Sequence, residues 1–242
     1  MATLTIGWLY GDRMNIYGDR GNVIALEQRA RWRGIDVVVE RISIGDPIPP
    51  RIDLYFFGGG QDQQQVAVAA DLQGSKGDRL RADIEAGAPA LTICGGYQLF
   101  AHEYRPHGVE PLSGVGVFDA VTVSGSERFI GNVVIDSEWG ELVGFENHSG
   151  LTTLGQGCAP MGSVRVGRGN NGRDGQEGAR FRNALGCYLH GALLPKNPAL
   201  TDWLISTGLS YVSGHKIELE PLDDRTERTA HDVAAERARK TR

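Results

Sequence analysis

The stretch Ala90-Leu-Thr-Ile-Cys94-Gly-Gly-Tyr-Gln-Leu-Phe-Ala101 decides how the rest of the chain is read. Its first four residues are apolar apart from one hydroxyl, which predicts a buried strand ending at Cys94. Two glycines follow, and Tyr97 to Ala101 reads as the first turns of a helix. A strand that turns sharply into a helix through Cys-Gly-Gly matches a nucleophile elbow, where the side chain projects from the C-terminal strand edge. The helix N-terminus favours a thiolate there, and its free N–H groups suit a developing oxyanion. A lone cysteine is more often a small buried hydrophobe. The glycine pair argues against that, because a packing cysteine does not require an exposed tight turn.

Outward from this stretch, Leu4 to Tyr10, Ile35 to Ile42 and Asp53 to Phe57 read as further strands. Asn22 to Trp32 reads as a helix, as does Gln64 to Ala86 with a break near Gly74 and Gly77. This alternation predicts an α/β fold built on a mostly parallel sheet flanked by helices. Ligands of such sheets bind beyond the C-terminal strand ends. Three loops qualify: Gly11 to Gly21, Gly58 to Asp62, and the Cys94 elbow. After about Pro106 the pattern becomes strands joined by glycine turns, which predicts an antiparallel extension. Ala184 to Leu189 reads as a strand delivering His190, and Pro198 to Leu209 as a closing helix. Residues 1–215 read as one domain. Residues 216–242 form a charged tail, acidic early and basic late, read as a solvated helix.

Composition narrows the function. The 242 residues carry a net charge of −5, which gives no nucleic-acid footprint. Three cysteines with no Cys-x-x-Cys spacing argue against a disulfide framework and a structural zinc site. Neither a basic leader with an apolar run nor a membrane-length apolar stretch is present, so a cytoplasmic location is expected.

A thiol nucleophile wants a histidine base. Of six candidates, His190 stands first because it follows an apolar strand and precedes a glycine. His148, in what reads as a polar turn from Glu146 to Gly150, stands second. His102 and His107 lie beyond the Cys94 helix, and His215 and His231 in the polar C-terminal region.

Cys94-Gly-Gly-Tyr-Gln98, Gly58-Gly-Gly-Gln-Asp62 and Tyr188-Leu-His-Gly191 resemble class I glutamine amidotransferases of the cobyric-acid-synthase-like (CobB/CobQ) branch. Leu9-Tyr-Gly-Asp12, Met14-Asn-Ile-Tyr17, Gly144 to Gly150, Gly169-Asn-Asn-Gly172 and Leu189 to Pro198 resemble, within it, the glutaminase subunits of lipid II isoglutaminyl synthases. The resemblance runs from about residue 4 to 210 and leaves out the tail. It implies Cys94 as nucleophile, His190 as base and Arg128 as the arginine that binds the glutamine carboxylate. It also implies oxyanion donors among the backbone N–H groups of Gly95 and of Gly59 or Gly60. Many members carry a glutamate two residues after the histidine. Here that residue is Ala192, so the orienting acid must be Asp12, Asp19 or a residue of a partner.

The resemblance further implies a heterodimer with a MurT-like, Mur-ligase-related subunit. No cofactor is expected in this chain, which lacks a phosphate-binding Gly-x-x-x-x-Gly-Lys-Ser/Thr. ATP and Mg are expected on the partner, as is lipid II, which would bring the pair to the inner face of the membrane. Ammonia from L-glutamine would amidate the α-carboxyl of D-glutamate. Other readings are a stand-alone cysteine hydrolase of a small amide or ester, an amidotransferase for a cobyrinate-type acceptor, and a non-catalytic module.

Overall fold

Short runs of β-branched and aromatic residues form the first sheet because both of its faces are covered, so a strand there need not alternate. In the computed structural model, which describes residues 2–241, these are β1 (Thr3–Leu9), β2 (Asp36–Ile42), β3 (Leu54–Phe57) and β4 (Ala90–Ile93). All residues of β3 and β4 are buried. They are joined by β12 (Ala184–Cys187) and β11 (Ala179–Phe181), giving the order β11-β12-β4-β3-β1-β2. Every pairing is parallel except that of the edge strand β11.

Helices α1 (Arg20–Arg31) and α5 (Pro198–Ser213) pack on each other and against β1. The break expected near Gly74 separates α2 (Asp62–Asp71) from α3 (Ser75–Glu85), with Gly74 at φ 73°. Helix α4 (Gly95–Phe100) follows Cys94 directly. The sequence predicts this helix from Gly96 to Glu103, but it stops at Phe100 because Glu103–Arg105 turns away as the short strand β5.

The second sheet is built around β7 (Ala120–Ser137), paired with β8 (Gly140–Leu154) and flanked by β5, β6 (Leu112–Ser113), β9 (Gly162–Val166) and β10 (Gln176–Glu177). Gly116 to Val123 and Phe129 to Ile135, which the sequence reads as separate strands, thus belong largely to one long strand. Its register against β8 jumps between Ser124 and Phe129, so Gly125 to Arg128 bulge outward opposite Ser149. The strand from Ala184 belongs to the parallel sheet beside β4, not to the antiparallel part.

The tail is not solvated all round. Helix α6 (Arg225–Lys240) buries Ala235 and Ala238 against Val134, Val143 and Val166 of the second sheet. Its start is held by Arg29, which is buried and donates to both carboxylate oxygens of Asp202 and to Asp224, each at 2.7 Å. Among the described residues no helix is long and apolar enough to cross a membrane.

Candidate active site

Adjacent parallel strands β4 and β12 end side by side, and the chain leaves both towards the same point. Cys94 N–H donates to the Cys187 carbonyl at 2.8 Å, tying the two strand ends together. Cys94 has φ 49° and ψ −104°, a strained conformation for a non-glycine residue of order 1–3 kcal/mol. That strain is the mark of an elbow that points a side chain out of the sheet. Gly96 sits where a Cβ would lie 2.6 Å from the Phe57 carbonyl oxygen, so no larger residue fits the turn.

His190 lies three residues beyond β12. Its backbone pairs with Phe145 of β8, donating at 2.8 Å and accepting at 3.2 Å. The second sheet therefore fixes the position of a residue delivered by the first. The imidazole is fully buried, and Nδ1 lies 3.5 Å from Oδ1 of Asp19, itself fully buried just ahead of α1. Burial opposes a charge on His190. The negative charge of the Cys94 sulfur and the Asp19 carboxylate outweigh it, and the pKa is pushed up to about 10.

Asp19 is the acid behind the imidazole, and Asp12 is not. Asp12 is exposed, accepts from the Ser43 hydroxyl and faces Arg13 at 3.6 Å. The missing glutamate also has a steric explanation. Ala192 adopts φ 47° and packs so tightly on Gly21 that a Cβ there would lie 2.6 Å from its own. The start of α1 fills that side of the histidine and brings Asp19 with it.

Gly59 does not fit the oxyanion role expected of it. Its N–H already donates to Oδ2 of Asp19 at 2.6 Å, and a Cβ on it would meet His190 Cε1 at 2.9 Å. It braces the histidine and its acid. Gly60 lines the cavity in front of Cys94. Gly95, as the first residue of α4, has no preceding helical turn to receive its N–H. A Cβ on Gly95 would stand 3.0 Å from the Gly60 nitrogen, so the two backbones meet at one spot.

That cavity has a volume of about 210 Å³, and Ile16, Tyr17, Gln65, Gln98, Arg128 and His148 also border it. Arg128 rides on the β7 bulge and is exposed, with Nε donating to Oδ1 of Asn147 at 2.7 Å. Nη2 also donates to the Asn147 carbonyl at 3.4 Å, and the remaining N–H groups of the exposed guanidinium can meet a carboxylate. Gln65 donates to Gln98, which donates to the Tyr188 hydroxyl, giving the cavity a polar floor.

His148 is not in a turn. It lies within β8, buried, stacked on Tyr188 with ring centroids 3.6 Å apart, and its Nδ1 faces the Gly150 carbonyl at 2.8 Å. Burial pushes its pKa down to about 4, so it is neutral. His102, His107, His215 and His231 make local contacts away from Cys94, with Asp119, Gly125, Ser213 and Lys196 respectively. Tyr17 and Gln98 also border the cavity, although the sequence motifs that contain them give neither a role. No local pattern marks either residue as part of the site.

A cysteine at a helix N-terminus and a buried histidine backed by a carboxylate have the chemistry that thiol-dependent acyl transfer requires, and the fold is that of class I glutamine amidotransferases. Residues 5–198 match the family model of the CobB/CobQ-like glutamine amidotransferase domain, and the chain belongs to that family. It is 42% identical to the lipid II isoglutaminyl synthase (glutamine-hydrolysing) subunit GatD of Staphylococcus aureus (strain N315), over 98% of this chain and 97% of that one. The subunit of the same name from Streptococcus pneumoniae (strain ATCC BAA-255 / R6) is 37% identical, over 91% of this chain and 86% of that one. Among solved structures, a glutamine amidotransferase from Thermotoga maritima superposes with a TM-score of 0.56 at 14% identity, covering 96% of this chain and 93% of the other.

Proposed function

We propose that this chain is the glutamine-hydrolysing subunit of a lipid II isoglutaminyl synthase. Cys94 is the nucleophile, His190 the base and Asp19 the acid that orients it. The observation that carries the chemistry is the buried His190 imidazole, backed by the Asp19 carboxylate at 3.5 Å and delivered by the strand that ends beside the Cys94 elbow. Near-full-length identity to the two GatD subunits supports the acceptor.

The Cys94 thiolate attacks the side-chain amide carbon of L-glutamine. The oxyanion that forms is met by the N–H groups of Gly60 and Gly95. His190, charged at neutral pH, gives its proton to the departing ammonia. It then takes one from the water that cleaves the glutamyl thioester, releasing glutamate. Arg128 receives the α-carboxylate of the substrate, which selects a free amino acid over a peptide-bound glutamine.

The ammonia serves a MurT-like, Mur-ligase-related partner that holds ATP, Mg and lipid II. That partner activates the D-glutamate α-carboxyl, and the product is D-isoglutamine. The heterodimer works in the cytoplasm, at the inner face of the membrane where lipid II presents its peptide.

The test is reconstitution. With partner, ATP, Mg and lipid II, glutamine consumption should match amidated lipid II one to one, and Cys94→Ala should abolish glutamine use while free ammonium still supports amidation. Amidation from glutamine by the Cys94→Ala pair would contradict the reading.

A further inference from the structure

Both ring nitrogens of His190 are buried without a hydrogen bond inside normal range, since even Asp19 stands at 3.5 Å. Packing therefore adds to what Asp19 contributes in holding the ring. Two contacts do so. Gly59 lies under Cε1, and the ring of Tyr17 meets the imidazole edge-on, with centroids 5.0 Å apart and planes at 72°.

Tyr17 is unusual in three further ways. Its φ of 54° places a bulky side chain in the left-handed region, where such residues are outliers. It is 45% exposed while the histidine beneath it is fully buried, so its ring stands between His190 and solvent. It also borders the cavity in front of Cys94. Strain of this kind persists only where the surroundings enforce it, and it collects at functional sites.

We propose that Tyr17 is a positioning residue: an aromatic cap that fixes the His190 ring between Cys94 and Asp19 and keeps water from the Cys94–His190 pair. The inference rests on the assignment of Cys94 and His190 above, and adds what holds them. Excluding water strengthens the attraction between thiolate and imidazolium, because the effective dielectric falls. The charged and titratable groups that act on this histidine are Cys94, Asp19, Glu177 and His148. The effect of Tyr17 on the pair comes through geometry and solvent.

The experiment follows alkylation of Cys94 by iodoacetamide from pH 5 to 10, reading the Cys94 peptide by mass spectrometry so that Cys158 and Cys187 do not interfere. Tyr17→Gly suits the left-handed backbone and removes the ring. Opening the site alters absolute rates, so the readout is the rate at pH 6 relative to the alkaline plateau. That ratio should fall about tenfold in Tyr17→Gly, as the ring that shields the Cys94–His190 pair from water is lost. Tyr17→Phe should retain the wild-type ratio.

Should Tyr17→Gly not fold, Tyr17→Asn, which also tolerates this conformation, takes its place. An unchanged ratio in a folded, ring-less variant would overturn the cap. A parallel arm labels the wild type with a glutamine-like diazoketone and asks whether glutamine protects. Loss of protection would sink the glutaminase reading alone, whereas intact protection with an unchanged ratio would sink the cap alone.

Discussion

Asp19 and Gly59 show how closely single atoms govern the histidine. Asp19 keeps one oxygen on the Gly59 N–H and turns the other towards His190. Asp19→Asn removes one of the negative charges that raise the His190 pKa, so that pKa falls and the imidazolium is lost at a lower pH. The alkaline limb of the glutaminase pH profile should move down. The rate constant should drop by on the order of 10² to 10⁴, the range in which a misdirected imidazole loses its role. A variant with an unmoved alkaline limb would exclude Asp19 as the acid. Gly59→Ala places a methyl 2.9 Å from the ring, and displacements of about 1 Å at a catalytic group cost on the order of 10²-fold in rate. Steady-state glutamate release should register that loss in kcat, with KM for glutamine changing little.

Among the elements, those nearest Cys94 were the most readable. An apolar strand, a glycine pair and a helix leave few alternatives, and β1, β3 and β4 with the Gly58 loop follow from the same logic. Three features resisted reading for identifiable reasons. The β7 bulge that carries Arg128 depends on register against β8, which local sequence does not record. His148 was read as lying in a turn because Asn, Ser and Gly surround it, yet its face of β8 is buried and Asn147 and Ser149 point to the other side. Helix α6 buries only alanines, too thin a stripe to stand out from sixteen mostly polar residues. Its anchorage is testable. Arg29→Ala leaves Asp202 and Asp224 without their buried partner and should cost about 3 kcal/mol, near the lower end for breaking a buried pair. Arg33 retains its own bond to Asp202, which limits the loss. Limited proteolysis should then cut ahead of α6 first, and equal resistance of variant and wild type would show that Arg29 does not secure it.

Across the whole molecule, the two sheets meet at the Phe145–His190 bridge, and a set of buried titratable groups lies behind that junction. Burial pushes Glu177 up to about 8 while its Oε1 accepts the Tyr188 N–H at 2.6 Å. A carboxyl whose folded pKa exceeds the unfolded value contributes stability below about pH 4.5, and that contribution is lost as the pH rises towards 8. His148 works in the opposite sense. Its depressed pKa gives stability above about pH 6.5 that is lost as the pH falls towards 4. Glu177→Gln should therefore flatten the fall in Tm between pH 5 and 8 and leave the acid side to His148. A variant with the wild-type slope would show that Glu177 does not carry the alkaline loss. None of this cluster was legible beforehand, because Glu146 and Glu177 lie in polar stretches and their burial follows from the loop after β9 folding back onto β8.

The most direct test of the central claim is peptide mapping after exposure of the chain to a glutamine-like diazoketone, alone and with the proposed Mur-ligase-like partner. The account expects one adduct, on Cys94, suppressed by excess glutamine and absent in His190→Ala at neutral pH. No adduct on Cys94 in either setting, or labelling that glutamine does not suppress, would contradict it.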